Sequence, residues 1–160
     1  MVRIVVRGIR ADAGLARAWL RGLNARGVAW QERGASPDAL VLLPGPLRAL
    51  RVPRAPVVVM PGDRNADAKQ IITYGYSARE TLTYSSLDAS GPVLAVQREI
   101  LTVGGARLDR QEIPLQSLGR TDAELALALS GALLFAGLAP EALGQVRFDA
   151  VTAGAFAQHP

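Results

Sequence analysis

The chain has no cysteine, and among its 160 residues it has one lysine, Lys69, and one histidine, His159. Without thiols there is no disulfide framework, no thiolate metal site and no cysteine nucleophile. A lone histidine next to the C-terminus argues against a histidine-based triad or a zinc site. Aromatic residues make up 5% of the chain, and none interleave with the basic residues in the way single-strand binders require. No apolar run approaches the roughly 20 residues of a membrane-spanning helix. The opening stretch from Met1 to Arg7 holds arginines within its short apolar run and lacks a cleavage pattern, so it reads as neither signal peptide nor anchor. The expectation is a cytoplasmic protein without a membrane partner.

What is present fits one globular domain over residues 1–160. Apolar residues account for 49% and charged residues for 20%, close to ordinary globular usage. Residues 152–160 have weak patterning and are expected to fray. The net charge of +4 is uneven: residues 1–80 hold 13 basic and 6 acidic side chains, and residues 81–160 hold 5 and 8. A nucleic-acid face would need the basic residues clustered. Arg3, Arg7, Arg10, Arg17, Arg21, Arg26 and Arg33 are instead dispersed, which fits ordinary solvated positions, and nucleic acid is not an expected partner.

Hydrophobic periodicity predicts strands at 3–7, 28–32, 39–43, 56–60 and 71–74, with a loop at 8–14. A helix is predicted at 15–24, with Leu15, Trp19 and Leu23 on its inner face. The short, nearly continuous apolar runs predict strands covered on both faces by helices. Beyond Gly75, residues 81–86, 92–99 and 112–117 read as strands. Gly104-Gly105 could close a type I′ hairpin that pairs Val103 with Ala106 and sets Glu99 opposite Arg110. Residues 121–136 predict a helix capped by Thr121 or Asp122 and stopped at Gly137, with Leu127, Leu134 and Leu138 inward and Ala126, Ala128 and Ala132 allowing close approach. Pro140 opens a short helix ending near Val146. The predicted class is α/β: a Rossmann- or P-loop-like, mainly parallel sheet with helices, a small antiparallel β appendage over 81–117, and C-terminal helices.

Two segments carry a family resemblance. One is Gly119-Arg120-Thr121-Asp122-Ala123-Glu124-Leu125-Ala126-Leu127-Ala128, continuing through Gly137, Glu141 and Leu143; the other is Ile71-Ile72-Thr73-Tyr74-Gly75-Tyr76-Ser77. Together they resemble the ATP-binding central domain of the Mur ligases, over roughly residues 55–145 in order of elements. The family's segment reads roughly G-R-H-N-x-x-N-A-x-A-A. Gly119, Arg120, Ala126 and Ala128 match it, whereas Thr121, Asp122 and Leu125 stand where the family has His and two Asn. The resemblance implies a strand end followed by a small antiparallel sheet and a Gly-Arg-started helix. It implies a kept scaffold with lost nucleotide contacts, and a link to cell-envelope metabolism.

The residues themselves agree that the ATP site is incomplete. A Walker-type loop needs closely spaced glycines, a lysine for the β/γ-phosphates and a hydroxyl for magnesium. If Gly14 takes the place of the last such glycine, Leu15 and Ala16 occupy the lysine and hydroxyl positions, and the glycine spacing from Gly8 differs. On the adenine side, Leu125 cannot hydrogen-bond and Asp122 offers only an acceptor. No cofactor, catalytic residue or metal ligand is therefore assigned. Asp63 and Asp67 follow an apolar strand at what would be a carboxyl edge, where α/β proteins place ligands. Pro61-Gly62-Asp63 is a strong turn sequence, however, which favours Asp63, Asn65 and Asp67 as turn or cap residues. The tract around Tyr74, Tyr76, Thr81, Thr83 and Tyr84 suits either a recognition surface or plain strand formation.

The candidate ligand-binding residues are Gly8, Arg10, Gly14, Asp63, Gly75 and Arg120. The expected function is a non-catalytic Mur-ligase-like domain that binds a partner protein or a small anionic ligand. The alternatives are an enzyme with a remodelled anionic site around residues 8–14, Asp63 and Arg120, and a nucleic-acid-binding module using the basic first half.

Overall fold

Short aliphatic runs build a sheet that is parallel over most of its width. The computed structural model describes residues 1–8, 10–23, 27–45, 54–88, 91–149 and 151, with the backbone alone for Arg10, Ala11 and Asp12. The predicted tail at 152–160 and His159 lie outside the described residues. Val2–Arg7 (β1) sits between Val28–Gln31 (β2) and Ala39–Leu42 (β3). Val57–Pro61 (β4), Gln70–Tyr74 (β5) and Leu82–Ser86 (β6) follow outward in order, all parallel. Val93–Val96 (β7) then pairs antiparallel with β6. Ile100–Leu101 (β8) and Arg107–Leu108 (β9) form a separate two-stranded ribbon. Gln111–Pro114 (β10) closes the far edge of the main sheet, giving the order β2-β1-β3-β4-β5-β6-β7-β10.

The predicted antiparallel appendage is thus mostly part of the main sheet; only β8–β9 stands apart. A parallel connection normally needs a long crossover, yet only residues 75–81 join β5 to β6. The register explains how: the single parallel pair is Tyr74 with Leu82, the end of one strand beside the start of the next. The chain need not travel back down the sheet, and β6 continues beyond the carboxyl edge of β5. The hairpin register also differs from the prediction. Ile100 pairs with Leu108, and Thr102 N–H donates to Ala106 O at 2.8 Å. The loop has three residues, with a tight turn closed by Gly105 N–H on Thr102 O (2.9 Å) and Gly105 at φ +87°. That is the three-residue hairpin with a left-handed glycine. It shifts the register by one, which takes Glu99 out of line with Arg110, and Glu99 instead meets Arg107 diagonally at 3.7 Å.

Arg10–Gly22 (α1) starts within the predicted loop, leaving Gly14 inside a helix. Its buried face is Ala13, Ala16 and Leu20; Leu23 is exposed and Leu15 only half-buried. The small residues Ala13 and Ala16, at i and i+3, bring the helix close to the strands, so Leu15 and Leu23 mislead as guides to the inner face. Trp19 lies at the rim, its ring 5.4 Å from that of Phe148. Ala123–Phe135 (α2) packs on the same face across β3 to β6, beside α1 and the short Pro140–Leu143 (α3). Among the described residues all helices lie on this one face. On the other, Val5, Leu40, Leu42, Val58 and Met60 pack with Ala55, and Ala66 and Ala68 lie against them. The expected helices on both faces are therefore not found among the described residues.

The ends of α2 form as the sequence predicts. Asp122 caps it, its carboxylate accepting from Leu125 N–H at 3.0 Å. At the other end Leu138 N–H donates to Leu133 O (3.0 Å) around Gly137 at φ +102°, a Schellman arrangement. Pro140 opens α3. Leu127 and Leu134 are fully buried, and Leu138 packs against the core from its edge. Leu134→Ala should lower stability by about 2–5 kcal/mol in urea denaturation; a loss well under about 1 kcal/mol would mean that the site collapses around the missing side chain or that the helix faces elsewhere.

Candidate functional site

A cleft opens at the carboxyl edge of β3, β4 and β5, where the strands stop and their loops diverge. It encloses about 280 Å³ and is lined by the loop residues Gly62, Asp63, Arg64 and Gly75, together with Tyr76 and Glu80. Pro44, Gly45 and Glu124 are shared with an adjoining volume of about 390 Å³, which Asp122 and Leu125 complete. Carboxyl edges gather ligands in sheets of this kind because the loops there can vary without disturbing the strands.

Each wall has a local cause. Pro61 to Arg64 is the turn that the sequence suggests, with Arg64 N–H on Pro61 O at 3.3 Å. Arg64 then reaches across to donate to Gly45 O at 2.9 Å, tying the β4 loop to the β3 loop. The floor is Tyr74, whose hydroxyl donates to Leu42 O at 2.7 Å and so spans from β5 to β3 beneath the opening. The segment after Gly75 folds back through Glu80 N–H on Ser77 O (3.1 Å). Gln97 secures it by donating to both Ala78 O and Glu80 O, each at 3.1 Å. Thr73 and Thr81 lock its exit, each hydroxyl accepting the other's N–H.

This folding back presses Glu80 into the cleft. Its side chain lies over Gly62, and a β-carbon on residue 62 would run into the carboxylate. Glu80 is only 8% exposed, and its Oε2 has no hydrogen-bond partner among the described residues. A buried acceptor left unpaired costs about 1–3 kcal/mol, more when charged. Glu80 was not singled out by sequence reasoning. A glutamate in a polar loop reads as solvated, and only the Gly62 opposite it gives a hint of close approach.

The sequence-predicted residues divide. Asp63 and Gly75 line the cleft. Gly8 does not; it is buried against β3, where a β-carbon would come 2.8 Å from Leu43 Cβ. Gly14 lies in α1 with open space beside it. The Arg10 side chain lies outside the described residues. Arg120 is exposed on the turn before α2 and lines no part of the cleft. Thr121, Asp122 and Leu125 hold the helix in place: Thr121 hydroxyl donates to Phe148 O at 2.6 Å, Asp122 is the cap and Leu125 packs at the rim of the core.

Comparison with protein-family models, with curated proteins and with solved structures finds no match to this chain. Its chemistry therefore rests on the cleft itself.

The electrostatics around the cleft are negative. Asp63, Glu80 and Glu124 line it against Arg64. Burial raises the Tyr74 phenol far above its ordinary value, Glu124, Asp63 and Asp122 add to that rise, and Arg64 partly opposes it. Tyr76 is raised by burial and by Glu124 and Asp122. Tyr84 is raised strongly by burial, then by Tyr76 and Asp122, while its hydroxyl donates to Ala123 O at 2.7 Å. Tyr74 and Tyr84 are thus held neutral, as donors. Among the described residues no three His, Cys, Asp or Glu side chains are placed to share a metal ion.

Two measurements test this geometry. Tyr74 and Tyr84 ionise at higher pH in the folded protein than in the unfolded chain, where a phenol titrates near the ordinary 10.0. Their contribution is fully present below that pH and is lost as pH rises toward the folded-state values. Denaturation at increasing alkaline pH should show falling stability, with both tyrosines ionising only on unfolding by ultraviolet difference spectroscopy. The second is a double-mutant cycle. Gly62→Ala should cost more in the native background than in Glu80→Ala, with a coupling of about 0.5–3 kcal/mol. Strict additivity would place the carboxylate away from Gly62.

Proposed function

We propose that this chain is a non-catalytic, Mur-ligase-like domain of Rossmann or P-loop character that binds a small ligand in the cleft at the carboxyl edge of β3, β4 and β5. The observation that carries the reading is the cleft with a buried Glu80, its Oε2 without a partner among the described residues, held in its wall by the 75–81 loop. The tyrosines around it support binding rather than turnover. Tyr74 and Tyr84 spend their hydroxyls on backbone carbonyls and stay protonated, which removes them as bases. The family comparison and the envelope link rest on the Gly119-Arg120 and Ile71 to Ser77 segments alone.

Nucleotide binding in the ligase manner is disfavoured at both ends. Gly8 packs against Leu43 and Gly14 lies inside α1, so neither supplies the loop glycines that a Walker-type cradle uses. Thr121, Asp122 and Leu125 serve α2. The nucleic-acid reading loses support in the same way. Arg17 pairs with Glu32 at 3.3 Å, Arg21 donates to Trp30 O at 3.0 Å and Arg3 to Ser36 O at 3.0 Å, so these three arginines of the basic first half serve its own fold. Calorimetric titration with Mg-ATP should give no binding tighter than about 1 mM, about 4 kcal/mol of affinity. Micromolar, magnesium-dependent binding would overturn the non-catalytic reading and favour an enzyme with a remodelled nucleotide site.

A further inference from the structure

We propose that the cleft takes a small organic cation, held by the N–H donors of its ammonium or guanidinium group on the Glu80 carboxylate. The inference rests on the reading of the cleft as a ligand site and adds the ligand's chemical class. Glu80 is over nine-tenths buried, lines the cleft and leaves Oε2 without a partner among the described residues. Its backbone is held on both sides by Ser77 and Gln97, which fixes the main chain that carries the carboxylate at the cleft wall. A positively charged donor is the group that such an acceptor pairs with most strongly.

Arg64, the one basic side chain in the lining, is held by donating to Gly45 O; its buried Nε has no hydrogen-bond partner and it makes no ion pair with an acid among the described residues, so it leaves the Glu80 carboxylate unneutralised. Asp122 accepts from Leu125 N–H, and it and Glu124 sit at the start of α2, where the helix dipole favours negative charge. Glu80 has neither compensation. An anion entering here would meet Asp63, Glu80 and Glu124 before a single arginine. A metal ion would need more ligands than the one buried carboxylate, and the described residues gather no such set. Tyr76 adds an attraction specific to organic cations. It is 58% exposed at the mouth, its ring is held 6.5 Å from that of Tyr84, and an aromatic face there attracts an ammonium or guanidinium group.

The test is a titration of the ¹⁵N-labelled protein, followed by amide shifts at constant ionic strength. The probes are butylammonium chloride, methylguanidinium chloride, calcium chloride and sodium phosphate. At least one organic cation should move the amides of Gly62, Gly75, Ser77 and Glu80 saturably, and which of the two binds more tightly identifies the head group. Glu80→Gln should weaken that binding by about tenfold or more. Tyr76→Leu, an exposed change that leaves the core intact, should weaken it by about two- to fivefold. Unchanged affinity in folded Glu80→Gln overturns the proposal, and so does unchanged affinity in Tyr76→Leu if the glutamine variant does not fold. Shifts of the same amides by phosphate or calcium, but not by either organic cation, keep the cleft as a ligand site and reject the cation. Shifts by none of the four reject both.

Discussion

Helix α2 has no polar face, and the rest of the chain is arranged to cover it. Every residue from Ala126 to Phe135 is buried, which requires partners on all sides. Strands β3 to β6 supply the floor, α1 and α3 lie alongside, and the β8–β9 ribbon closes the end. The ribbon's part is specific: Val103 N–H in its turn donates to Phe135 O at 2.8 Å, meeting one of the carbonyls that a helix end leaves without an internal partner. At the other end Tyr84 and Thr121 bind Ala123 O and Phe148 O. A helix secured at both ends and along its length has one position relative to the sheet.

That position brings the start of α2 to the carboxyl edge of the strands. Asp122 and Glu124 are the residues that a helix start favours for its own stability, and here they also border the cleft. Part of the negative field at the site is therefore a by-product of capping the core helix. Glu80 is different. Nothing in helix formation or strand pairing calls for a carboxylate above Gly62, and its burial opposes folding. A feature that costs stability and serves no packing need is where binding is to be sought.

The legible and illegible parts of the sequence separate along physical lines. The strands were readable because Val57 to Met60 and Ala39 to Leu42 are apolar on both faces and bounded by turn residues. The ends of α2 were readable because Asp122, Gly137 and Pro140 act locally. The start of α1 was not, because Gly14 lowers helix propensity and its true inner face uses Ala13 and Ala16, too small to mark a hydrophobic stripe. The hairpin register turned on whether the loop held two residues or three, and Gly104-Gly105 permits both. Of the candidate residues, Asp63 and Gly75 line the cleft, because strand ends are legible. Glu80 was missed because burial of a charge depends on a partner segment that sequence spacing does not identify.

Net charge was the weakest guide. Most of the cleft's lining comes from the strongly basic half of the chain, yet its wall is acidic. The arginines of that half are long enough to reach carbonyls and carboxylates of neighbouring loops, and Arg3, Arg17, Arg21 and Arg64 do so. Carboxylates on short loops cannot travel as far, so Asp63 and Glu80 stay where the backbone puts them. A count of charges sums over both behaviours. The field inside a concave site is set by the few groups that face it in a low-dielectric surrounding. Here those groups carry the opposite sign to the half of the chain that supplies most of them.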